Sequence, residues 1–249
     1  SEIYLNLGRL DVAEKMARQA VAHADVSEDW FQMLGQRTYL ANVLHQLGRS
    51  DEAEQLFIEA ERQQSSSSPG YRHLYSVQGF WYCDLLLAER RVPEVLQRAH
   101  DALRIATMRA RPLEIALDSL TLARAYMATE PTNREAAEPH LRDALSHLRK
   151  AGNEDEIPRG LLARATFHRL ADDLSSAMKD LDAAQKLCRR HDLRLFEADV
   201  ALERARCQLA AGERADAGAT LSVARELIAA MNYGRYRSEL TRLQAELAG

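Results

Sequence analysis

Several things are scarce or missing in these 249 residues, and each absence narrows the reading. There are three cysteines, Cys83, Cys188 and Cys207, with no CxxC or other metal spacing among them. Scattered thiols of this kind read as reduced, packed side chains of a cytoplasmic protein rather than a disulfide framework. Aromatics reach only 6%, with 11 Gly and 6 Pro, a balance that favours close-packed helices over sheets. No charge of one sign dominates: 33 basic and 37 acidic residues leave a net −4, without the basic footprint of a nucleic-acid binder. No apolar run approaches the roughly 18 residues of a membrane span, and no signal-peptide pattern opens the chain. No Gly-rich phosphate loop, His-Glu-x-x-His or Gly-x-Ser-x-Gly occurs, so no catalytic, cofactor or metal residue is assigned. His140 and His147 stand about 10 Å apart along one helix, too far to share a metal without a third ligand between them.

What is present is a repeat. Ala13, Ala53, Val95, Ala137, Ala177 and Ala217 fall into register at spacings of 40, 42, 42, 40 and 40 residues. Seven residues after each anchor stands an alanine: Ala20, Ala60, Ala102, Ala144, Ala184 and Ala224. Four after it come Ala17, Phe57, Ala99, Leu141, Leu181 and Leu221. Twelve before it the residue is small, from Ser1 and Ala41 to Ala205, and five before it stand Gly8, Gly48, Arg90, Thr132, Asp172 and Gly212. Offsets of 0, +4 and +7 trace one helical stripe. The residue five before the anchor is placed to break the chain in the left-handed conformation. Each unit is therefore helix, tight turn, helix, and such units bury their apolar faces only by stacking.

The pattern predicts first helices near 29–47, 71–89, 113–129, 157–171 and 193–211. It predicts second helices near 10–24, 51–64, 93–109, 134–150, 174–190 and 214–231, with one further amphipathic helix at 236–247. Ser65-Ser66-Ser67-Ser68-Pro69-Gly70 resembles a linker, but the register continues across it, which favours a longer inter-repeat loop. Thr132 and Glu135 have capping-box form. Pro139, several residues into its helix, predicts a kink, and His168 is expected to be a packed histidine.

Leu40-Ala41, Leu44, Gly48, Ala53, Phe57 and Ala60 match the tetratricopeptide repeat pattern nearly position for position, and Ala205, Gly212, Ala217, Leu221 and Ala224 match it again. The chain thus resembles that family throughout. It departs from it in period and in lacking the proline that usually closes each repeat. The longer period is similar to the C-terminal sensor arrays of bacterial signal-transduction ATPases with numerous domains (STAND). The resemblance implies an all-α, right-handed superhelical solenoid of antiparallel helix pairs over residues 1–249. The first repeat is truncated and 236–247 is a C-terminal capping helix. A fragment is expected, from which an upstream domain has been removed.

In such arrays the first helices line a concave groove, and Thr38, Asn42, Phe80, Asp84, Arg124 and Arg206 are the positions that would face it. In the run Phe80-Trp81-Tyr82, Trp81 and Tyr82 are expected to pack between units with Phe80 half-buried; the sharper alternative makes Phe80 a ligand-binding aromatic. The expected function is a protein-binding scaffold or sensor, the partner-sensing part of a larger cytoplasmic signalling ATPase. Its ligand would be a protein or peptide in the groove, or its own upstream domain, with no nucleic acid and no membrane. The alternative is a stand-alone adaptor or co-chaperone that holds a peptide tail, for which only Asn42 suits a carboxylate clamp.

Overall fold

The computed structural model of the chain describes residues 2–27 and 29–248. Among them are thirteen α-helices and no strand. Their order is α1 (Glu2–Asn6), α2 (Leu10–Ser27), α3 (Trp30–Gln46), α4 (Ser50–Ser67), α5 (Ser76–Ala88), α6 (Val92–Met108) and α7 (Pro112–Met127). The series continues with α8 (Arg134–Ala151), α9 (Ile157–Leu170), α10 (Leu174–Arg190), α11 (Arg194–Ala210), α12 (Arg214–Met231) and α13 (Arg237–Ala248). A 3-10 turn, Gly234–Tyr236, leads into α13. The chain is an all-α helical-repeat fold.

The alanine register is the core. Ala13, Ala53, Val95, Ala137, Ala177 and Ala217 are all fully buried. So are the residues four positions on, Ala17, Phe57, Ala99, Leu141, Leu181 and Leu221. At +7 the stripe is buried from Ala60 to Ala224, while Ala20 is half-buried. Ser1, the first small residue at −12, lies outside the described residues.

The turns repeat as well. Five residues before the anchor, Gly8, Gly48, Arg90, Asp172 and Gly212 all adopt positive φ, between 60° and 80°. The next N–H then reaches back to close the helix end: Arg49 to the Leu44 carbonyl, Arg91 to Leu86, Asp173 to His168 and Glu213 to Gln208, each at 2.9 Å. This is the Schellman closure, which satisfies orphaned carbonyls of the last helical turn. A second such register, fifteen residues after the anchor, ends the second helices at Ala110, Gly152, Asp192 and Asn232.

Three local expectations are corrected. Residues 65–67 are helical, because α4 runs on to Ser67, and the loop is 68–75. That loop takes Tyr71 and Tyr75 out of α5, which begins at Ser76. The Thr132 capping box does not form. The turn before α8 carries a two-residue insertion relative to the other repeats, within Glu130-Pro131-Thr132-Asn133, and the cap falls on Asn133, whose side chain accepts from the Ala136 N–H at 3.1 Å.

Contacts sort the chain into two compact units. Asp11–Ala151 form one, and Glu2–Leu10 with the chain from Gly152 onward form the other. In the first, α3, α5 and α7 touch in sequence as a row of first helices, each also packed on its own second helix. Across its repeats Phe57 stacks on Tyr82 at 4.9 Å, Arg98 lies over the Tyr82 ring, and Arg98 pairs with Glu61 at 2.6 Å. In the second, α9, α11 and α13 form the corresponding row, and α1 lies on α11. The turn after α1 is close-packed as well: a Cβ on Gly8 would stand 2.3 Å from the Met231 sulfur at the end of α12 and 3.1 Å from Cβ of Arg194 at the start of α11.

Candidate protein-binding face

Position −11 from the anchor is held by Asn42, Asp84, Arg124, Thr166 and Arg206, once the insertion before Ala137 is allowed for. The register therefore puts one polar column on consecutive first helices. Its environment differs between the two units.

In the first unit the column is largely consumed by the fold. Asp84 Oδ1 accepts from Arg124 at 2.6 Å, and His45 Nε2 lies 3.7 Å from Asp84 Oδ2, so one carboxylate joins α3, α5 and α7. Asn42 accepts from Gln46 at 3.0 Å. Thr38 is fully buried and donates to the Leu34 carbonyl of its own helix at 2.9 Å. Phe80, expected half-buried, is 2% exposed, and the half-buried ring of the trio is Trp81, packed edge-on to Tyr39. The cause is the position of α5: α3, α4, α6 and α7 all pack on it, so the face read as a groove floor is helix–helix interface. Of the first-unit positions only Arg124, with 28% of its side chain exposed, remains open to a partner.

The second unit keeps an opening. Thr166 and Arg206 line a cavity of about 490 Å³ whose other walls include Arg169, Glu203, Glu239, Arg242 and Glu246. Arg169 pairs with Glu203 at 2.7 Å, Arg206 with both Glu203 and Glu239, and Arg242 with Glu239 at 3.1 Å. Burial pulls the Arg206 guanidinium down, but Glu203 and Glu239 outweigh it and hold it above its ordinary value. Glu239 is lowered in turn, Arg206 and Arg242 overcoming the opposite effect of burial. Three cations and three carboxylates thus alternate along the wall, and their charges cancel.

Sequence reasoning missed Asp118. It is 3% exposed on α7, its Oδ2 has no hydrogen-bond partner, and burial, with a smaller push from Glu114, raises it to about 8. The only signal was an acid directly after the apolar run Ile115-Ala116-Leu117. His168 is half-buried rather than packed away, 3.7 Å from Asp173 and 3.8 Å from Asp180. His140 stacks on Tyr126 at 5.8 Å, and no group of three or more metal-ligating side chains converges among the described residues. No described helix is long and apolar enough to cross a membrane.

No protein-family model matches the chain, and no curated protein does. Among solved structures it is similar to the crystal structure of BtubC (BKLC) from P. vanneervenii, a helical-repeat fold, with a TM-score of 0.56 and 18% identity over 93% of each chain. At that identity the likeness speaks for the fold alone.

Proposed function

We propose that this chain is a tetratricopeptide-type scaffold that binds a protein segment along its first helices and carries out no catalysis itself. The supporting observation is that Thr166 and Arg206, forty residues apart at one register, line the same open cavity. Its size, about 490 Å³, falls within the range of ligand pockets. Its alternating, already paired charges favour a peptide that exchanges ion pairs over a free ion, because a lone charge would leave one wall group unmatched. In the finer form of the proposal the 40–42-residue repeats are the partner-sensing part of a cytoplasmic bacterial signalling ATPase. The bound segment then belongs either to another protein or to a domain preceding these repeats.

Selection of peptides from a randomised display library against the whole chain tests the reading. Selected peptides are expected to bind the Arg206→Glu and Thr166→Arg variants about tenfold or more weakly, with circular dichroism unchanged. Undiminished binding to both variants removes the second-unit cavity as the site. A full-length gene without a nucleotide-binding domain before the repeats overturns the sensor form and leaves the adaptor.

A further inference from the structure

Where later repeats use a short left-handed turn, the second and third are joined by the loop 68–75, and its backbone is pinned on all sides. The Leu74 N–H donates to Glu61 at 2.8 Å, and the His73 carbonyl accepts from Gln64 at 2.7 Å. The Leu74 carbonyl lies so close to Gly79 that a Cβ there would stand 2.4 Å away. The Tyr71 and Tyr75 rings lie 4.6 Å apart, tilted by 33°, and the Arg109 guanidinium lies over both.

Behind the loop lies a cavity of about 90 Å³, lined in part by Arg72, His73, Tyr75, Asp101 and Arg104. That is room for several waters or one tetrahedral oxyanion. Arg72 and Arg104 are exposed at the rim, and neither makes a hydrogen bond or ion pair with the described residues, whereas Arg91 and Arg98, at the start of the helix that carries Arg104, are paired with carboxylates. Both ring nitrogens of His73 are buried without a hydrogen-bond partner, each 3.8 Å from a carboxylate, Glu61 on one side and Asp101 on the other. A tied loop that sets two unpaired guanidiniums at the rim of a hole, with a buried imidazole behind them, offers cationic donors to a ligand that accepts hydrogen bonds.

We propose that this cavity binds a phosphate-type anion, either free inorganic phosphate or a phosphomonoester, through Arg72, Arg104 and His73. Two guanidiniums against Asp101 leave the lining at +1, and a protonated His73 makes it +2. The groups facing the imidazole are Glu61 on α4, Arg98, Asp101 and Arg104 on α6, and Arg72 on its own loop. Burial and Arg98 hold the ring below its ordinary value, with Glu61 and Asp101 opposing them. An arriving dianion adds negative charge beside the ring and offsets Arg98 and Arg72, so the ring takes up a proton as the anion binds.

Calorimetric titration of the whole chain with inorganic phosphate and with phosphoserine, at ionic strength held constant with chloride, tests this. The expected result is saturable binding coupled to proton uptake, read from two buffers of different ionisation enthalpy. The Arg72→Ala/Arg104→Ala double variant should lose about 10- to 100-fold in affinity. His73→Gln should keep weaker binding without the proton uptake. Tighter binding of phosphoserine identifies a phosphorylated side chain as the ligand, and tighter binding of phosphate identifies the free ion. Two results overturn the proposal: no saturable heat with either ligand, or an equal loss in a control double variant of the exposed Arg62 and Arg111, each changed to Ala.

Discussion

Asp118 shows what burial does to a carboxyl one of whose oxygens has no hydrogen-bond partner. Its folded value of about 8 lies far above its ordinary 3.8, so between those limits the folded chain binds a proton that the unfolded chain has released. Stability conferred by Asp118 is therefore full below about pH 4 and is lost as the pH rises through 8. Denaturant titrations from pH 5 to 9 should show the parent losing stability across that window. The Asp118→Asn variant should show a flatter profile and gain on the order of 1–3 kcal/mol at pH 8; identical profiles would mean that the carboxyl finds a partner in solution. The cysteines make a second residue-scale case. Burial raises Cys83 and Cys188 to about 12 and Cys207 to about 11, so none is a thiolate near neutrality. A thiol reagent at pH 8 should label none of them in the folded chain and all three after denaturation.

In the helices and their connections, stability depends on the left-handed turns and on the alanine stripe. Arg90 and Asp172 hold φ near 60° where Gly48 and Gly212 hold about 80° and 76°. A side chain in that conformation is strained, which a glycine avoids at some cost in unfolded-state entropy. Arg90→Gly and Asp172→Gly should each stabilise the chain by about 0.5–1 kcal/mol. The exposed Arg90–Glu130 pair lost in the first is worth little, with both side chains about 85% exposed. Ala144 and Ala184 are fully buried where two helices meet. Enlarging either to Leu should overpack that junction and cost about 1–3 kcal/mol, seen as an earlier unfolding midpoint. An unchanged midpoint in both would contradict the packing described for the stripe.

On the scale of the molecule, the two compact units meet in sequence at Ala151 and Gly152, where α8 ends and an exposed turn begins. Limited proteolysis should cut first within residues 152–154, before the loop at 68–75, although that loop is the longer connection. The reason is anchoring: the longer loop is tied by Glu61, Gln64 and the Arg109–tyrosine stack, and a protease needs several residues free to extend into its cleft. First cleavage inside 68–75 would show that the ties are weaker than their geometry.

The helix pairs, their order and the buried stripe were legible in the sequence, because all three follow from local spacing. An alanine every seventh residue after an anchor, and a turn residue five before it, say where each helix runs and which side it hides. Local spacing also placed Asn42, Asp84, Arg124 and Arg206 in one column. It did not say which of them stays open. Packing between repeats encloses α5 among four helices, so that Phe80 and Thr38 are core, while α13 leaves a cavity beside Thr166 and Arg206. Packing likewise sets the burial of Asp118, the pairing of Asp84 with His45 and Arg124, and the unspent donors at the loop 68–75. Exposure of a side chain depends on how many neighbours surround its helix, and those neighbours come from residues some forty positions away.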